Sequence, residues 1–184
     1  MAIKIEDGHY SLSKSVKSVL RANLDSALAS IGANVTDYLP DDLPGSGALL
    51  GRNVYLADDR IPPQAAQYIL LSVEHTADFR VMSLGTQNST FEVRALATVR
   101  GTTRARSGSD PSPTYEDATW QTAGLLARAV DYCLQRYLPS ETGIYNVERI
   151  ASARAPLDTE RPNQCAYLVR WQAYVRTRNP LGES

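Results

Sequence analysis

Histidines, cysteines, paired aspartates and a glycine-rich stretch are the places where this sequence could carry chemistry. His9, His75, Cys133 and Cys165 stand far apart, whereas the ligands of a zinc site come in close pairs along a chain. A serine–histidine–aspartate arrangement draws on distant positions, but the G-x-S-x-G elbow is missing. His75 falls at a strand end and reads as a polar edge residue. Gly45-Ser46-Gly47-Ala48-Leu49-Leu50-Gly51 misses the G-x-G-x-x-G spacing by one residue and has neither a strong preceding strand nor a helix opening on it. Asp41-Asp42 and Asp58-Asp59 read as solvated turns rather than as a divalent-ion site. Cys133 on a helix face and Cys165 at a strand start read as small buried apolar residues. The sequence therefore assigns no catalytic residue, no cofactor and no metal ligand, and the chain is read as a non-enzyme.

The arginines are more informative. The lysines are Lys4, Lys14 and Lys17, and every other basic residue is arginine. Arg94 and Arg100 share one face of a strand with Glu92, and Arg170, Arg176 and Arg178 share one face of another. Pairing of these strands predicts a sheet with one apolar and one arginine-rich face. A solvated outer face is the plain reading. The functional readings are ion pairing between subunits and, behind it, phosphate contact along DNA. Tyr174, beside Tyr167 and Trp171, is suited to anchor such an interface. Arg104 and Arg106 in a loop, and Leu49 and Leu50 in an apolar stretch of another, complete the candidate interface set.

The elements that must position these residues can be read from periodicity. Over residues 13–31, Val16, Val19, Leu20, Leu24, Ala27, Leu28 and Ile31 recur at spacings of three and four, which predicts an amphipathic helix capped by Ser11 or Ser13 and ended by Gly32. Residues 33–63, broken by Pro40, Pro44, Pro62 and Pro63, predict a long connection with one short strand at 53–57. Tyr38, Leu39, Leu43, Leu49 and Leu50 are expected to pack, on this subunit or the next. Residues 67–76 suit a two-sided strand. Residues 90–101 alternate cleanly, and a turn at 85–89 predicts an antiparallel hairpin. Residues 102–114 read as a mobile loop. Thr114 caps a second helix that Pro139 ends, and strands follow at 144–151 and 165–178. The predicted fold class is α+β: a mostly antiparallel sheet of about four strands, two main helices packed on one face, and long loop excursions. All of it is read as a single domain over residues 1–184.

Composition sets the outer bounds. With 184 residues, 43% hydrophobic and 21% charged, the chain can bury a core, which excludes disorder as its main state. A net charge of −1 gives no global pull toward nucleic acid. No apolar run is long enough to span a bilayer. Charges at Lys4, Glu6 and Asp7 occupy the place of a signal peptide's apolar core, so cytoplasmic synthesis is expected.

Taken together, the elements resemble the tail terminator and neck proteins of tailed bacteriophages. The resemblance covers about residues 13–31 and 67–178. It rests on the N-terminal helix, the alternating strand at 91–99 and the long helix with Ala123, Leu126, Ala129, Val130 and Leu134. The strand around 147–150 and the final alternating strand at 167–175 complete it. The resemblance implies a structural virion protein that assembles with itself as a ring, commonly a hexamer. The ring caps the tail tube and meets the head connector or stopper, and DNA passes through its lumen without specific binding. It implies location in the virion, after assembly in the host cytoplasm. The alternative is a small soluble enzyme or ligand-binding domain with a pocket between helices and sheet, where His75, Tyr68, Trp120 and Trp171 are first candidates.

Overall fold

A computed structural model describes residues 3–31, 53–61, 67–83, 86–100, 115–140, 143–155 and 164–178. In chain order the elements are β1 (Ile3–Lys4), α1 (Ile5–Ile31), β2 (Val54–Leu56), β3 (Gln67–Ser83) and β4 (Thr86–Arg100). Then come α2 (Tyr115–Tyr137), a 3₁₀ turn (Leu138–Ser140), β5 (Ile144–Arg154) and β6 (Gln164–Arg178). No described helix is long and apolar enough to cross a membrane.

The sheet runs β2-β3-β4-β6, with β5 and the two-residue β1 both pairing β6. Five strands therefore carry the sheet, with β1 as a short sixth, where about four were expected. It is mostly antiparallel, but β2 joins β3 in parallel and β1 joins the end of β6 in parallel. The predicted hairpin is present, with Ile69 opposite Ala97 and Leu71 opposite Ala95. Its second strand, β4, is longer than expected. Residues 86–89, read as part of the turn, continue β4 because they find partners from Arg178 to Val175 on β6.

Both helices pack on one face of the sheet. The core joins Leu12, Val16, Leu20 and Leu24 of α1 and Ala123, Ala127, Val130 and Leu134 of α2 to the odd-numbered residues of β3, β4 and β6. The alternation along a strand makes this possible, since residues i and i+2 share a face. α1 starts at Ile5, eight residues earlier than predicted. Leu12 lies one turn before Val16 and extends the apolar stripe backwards. Ser13, expected as a cap, is buried and donates its hydroxyl to the His9 carbonyl at 2.7 Å, as a serine inside a helix does. Cys133 and Cys165 are free and buried as expected, and burial first, with Asp25 second, pushes the Cys133 thiol up to about 12. Gly143 sits at φ 86°, a conformation glycine adopts without steric cost, and its carbonyl accepts the Arg176 amide at 2.9 Å as β5 opens.

Candidate functional site

The face of the sheet turned away from the helices is organised in rows across the strands. One row is apolar: Leu70, Leu96, Leu168 and Ala153 stand in register on β3, β4, β6 and β5. The three leucines are half-buried. No described helix covers them. A neighbouring row is Ser72, Arg94, Arg170 and Ala151.

Arg94 and Arg170 face each other directly, an unfavourable placement for like charges on adjacent strands. Glu92, one row away, resolves it. Arg170 donates Nε to Glu92 Oε1 at 2.6 Å and Nη2 to Oε2 at 3.2 Å, and Arg94 donates Nε to Oε1 at 2.7 Å. Arg94 also donates Nη1 to Glu74 Oε1 at 2.8 Å. The two guanidiniums close over Glu92, which is 7% exposed. Hydrogen bonds from Arg170 first and Arg94 second hold its carboxyl down at about 2. Two arginines and two glutamates make the cluster neutral. The described part of the face, which leaves out the side chains of Arg100 and Arg178, is thus mixed rather than arginine-rich as expected. It has Glu74, Glu92 and Glu148 among Arg94, Arg170 and Arg176.

Tyr174 lies on the same face and donates its hydroxyl to Glu148 Oε2 at 3.1 Å, with its ring 6.0 Å from that of Tyr145. Arg176 is exposed. In register, Arg100 lies opposite Gln164 and Arg178 opposite Thr86, but their side chains are outside the description. Arg104, Arg106, Leu49 and Leu50 lie outside the described residues, as do Asp41-Asp42 and the glycine-rich stretch at 45–51.

Sequence reasoning missed the bulges of β5. The pairing with β6 slips between Ile144 and Asn146 and again between Arg149 and Ala151. The extra residues are Tyr145 and Ile150, which are 51% and 45% exposed. A bulge leaves one residue unpaired and re-aims it, so two apolar side chains are presented along the edge. Exact alternation was the signal, and β5 breaks it at both places.

A groove of about 430 Å³ runs beside this edge on the helix side. Its lining includes Gly124, Leu125 and Arg128 of α2 together with Arg149, Ser152 and Tyr167 of β5 and β6. Asp131 accepts Trp171 Nε1 at 2.7 Å and Arg149 Nε at 3.0 Å, which fixes the one carboxylate among the groove's described residues. Arg154 donates Nε to the Tyr167 hydroxyl at 3.2 Å and stacks 4.8 Å from the Trp120 ring. The four residues expected to share a pocket do not. Trp120 and Trp171 are on the helix side, whereas Tyr68 is in register with Thr98 on the other face and accepts Gln164 Nε2 at 3.1 Å. His75 is exposed beside Phe91, ring to ring at 5.2 Å. Asp59 accepts the Leu56 amide at 2.8 Å and pairs with Lys17, as a turn aspartate does. Among the described residues no group of three or more His, Cys, Asp or Glu is placed to hold a metal ion.

Comparison with known proteins gives little. No family model matches the chain and no curated protein matches it. Among solved structures, a chain from the virion of a native gene transfer agent particle is similar over 85% of this chain and 94% of that one, at 16% identity and a TM-score of 0.47. A likeness this faint decides nothing about function.

Proposed function

We propose that this chain is a structural subunit of a phage-type virion, a tail terminator or neck protein. It assembles with itself as a ring between the tail tube and the head connector or stopper, and performs no catalysis. The observation that carries the reading is the open sheet face, with the leucine row Leu70, Leu96 and Leu168 beside a neutral, pre-formed ion cluster. Half-buried leucines in register on three strands form a continuous apolar surface, which marks interaction sites on soluble proteins. The order of elements along the chain supports the finer assignment. In a closed ring each subunit uses two different surfaces, and the open face and the bulged β5 edge are two such surfaces. Arg94, Arg170, Tyr174 and Arg176 lie on the first; Arg94 and Arg170, held by Glu92, and Tyr174, held by Glu148, present a rigid polar rim rather than free charge, and Arg176 is exposed beside them. Arg100, Arg104, Arg106, Arg178, Leu49 and Leu50 remain interface candidates.

Native mass spectrometry of the purified chain tests this. A ring-sized oligomer is expected, and Leu96→Asp with Leu168→Asp is expected to give a folded monomer. A wild-type chain that stays monomeric at every concentration and binds a small metabolite overturns the reading. The groove beside α2 favours that second reading, a ligand-binding domain, to the extent that it is concave and part apolar.

A further inference from the structure

We infer that the contact between α1 and α2 is a pH-sensitive seam: it tightens when Asp25 takes up a proton and loosens when Asp25 gives it up. The inference does not depend on the ring assembly proposed above.

Asp25 follows Leu24 and stands two residues before Ala27, and both of those are 0% exposed in the apolar stripe of α1. Its side chain flanks that stripe. It is half-buried, and its Oδ1 is enclosed without a hydrogen-bond partner. An ionised oxygen in such a place has given up water and received no donor in return, which is costly.

The side chain lies at the seam with α2, because its charge acts on Cys133, a fully buried thiol of that helix. A thiol pushed up to about 12 stays neutral and offers no positive charge. The described cations are turned elsewhere. Arg21, one turn earlier on α1, donates Nη2 to the Val54 carbonyl at 3.4 Å, and Lys17 pairs with Asp59. On α2, Arg136 donates Nη1 to the Tyr132 hydroxyl at 2.8 Å and lies against the Tyr132 and Tyr137 rings. On the sheet, Glu74, Glu92, Arg94, Arg170 and Arg176 are on the open face, and His75 stands beside Phe91. Lys4 of β1 precedes the opposite end of α1. Tyr55 of β2 donates its hydroxyl to Asn53, and neither β2 nor the 3₁₀ turn carries a charged side chain.

Burial is accordingly what acts on the Asp25 carboxyl, and it raises the pKa above the ordinary 3.8. A carboxyl raised in this way holds its proton more tightly in the fold than in the unfolded chain. Its contribution to stability is complete below 3.8 and is lost as pH rises through the folded value. Near neutrality the seam carries an enclosed charge, and the second half of α1 is held less firmly than in acid. Glu92 has the opposite sign, because its arginines favour the charged form.

Amide hydrogen exchange of the full chain, followed residue by residue, tests this. At pH 7, Asp25→Asn should slow exchange at Leu24, Ala27 and Leu28 by roughly fivefold or more relative to wild type, since it removes an uncompensated buried charge. The difference should close as pH falls toward 3.8. A carbon-13 titration of the Asp25 carboxyl reads the same group without a substitution, and its midpoint should lie above 3.8. A midpoint at or below 3.8, exchange at pH 7 that is no slower in Asp25→Asn, or a difference that does not change with pH overturns the inference.

Discussion

β4 shows the two faces of the sheet side by side. Phe91, Val93, Ala95, Ala97 and Val99 point to the helices and are between 0% and 1% exposed. Between them, Glu92, Arg94, Leu96 and Thr98 point the other way into a surface where half-buried leucines adjoin a neutral ion cluster. One face is completed by this chain's own helices. The other has no described helix above it. Burial on the first face therefore reports on folding, and apolar area on the second is free to report on association. Substitutions on the two faces should accordingly separate in what they change.

The largest effect on folding belongs to the helix face. Phe91→Ala removes a ring from a fully packed site and should cost about 3–5 kcal/mol, read as a lower urea midpoint. Leu168→Ala on the open face should cost less, about 1.5 kcal/mol in the same melt, because part of that side chain is already in water. Its effect should appear instead in oligomer yield. Equal losses at the two sites would break the distinction between the faces.

The next effect is electrostatic. Glu92 titrates at about 2 in the fold against 4.5 for an ordinary glutamate. A depressed carboxyl stabilises the fold above its unfolded-state pKa, and that contribution fades as pH falls from about 4.5 toward 2. Glu92→Gln should cost on the order of 2 kcal/mol at pH 7, somewhat below the loss expected on breaking a fully buried pair, since both guanidiniums are more than a third exposed. It should also flatten the acid limb of a stability–pH profile. An unchanged acid limb would mean that the arginines do not hold Glu92 in solution.

How much of this could be read in advance depends on the kind of pattern involved. The helix face was legible because burial imposes periodicity: β4 and β6 alternate without a break, and Val16, Leu20 and Leu24 recur at helical spacing. The start of α1 was misplaced because Ser13 fits a cap as readily as an interior position, and the spacing of Leu12 was the better guide. On the open face the residue types were legible and their partners were not. Arg94 and Arg170 were seen as positive charges, but their shared carboxylate follows from which residues stand opposite in the sheet, and register is set by long-range pairing. The β5 groove was invisible for the same reason. It depends on two bulges and on the meeting of Gly124 with Tyr167, which lie on different elements. The four-residue pocket failed because it combined Tyr68 with two tryptophans on the opposite side of the sheet.

The smallest effect is a gain, and it sharpens the comparison from the other direction. Thr98 is fully buried on the open face, between Tyr68 and Ala166, and its hydroxyl has no hydrogen-bond partner. An unsatisfied buried hydroxyl carries a desolvation cost that a methyl group of nearly the same shape does not. Valine also suits a strand better than most residues do. Thr98→Val should therefore stabilise the chain by about 1 kcal/mol, read as a rise of roughly 2–4 °C in a thermal melt. The inaccessibility of Thr98 shields it from a neighbouring subunit, so oligomer yield should stay as in the wild type. A loss of stability would show that the hydroxyl is bonded after all. A loss of oligomer at unchanged stability would show that the neighbour reaches below the leucine row, and that the open face is a deeper seat than the half-buried leucines indicate.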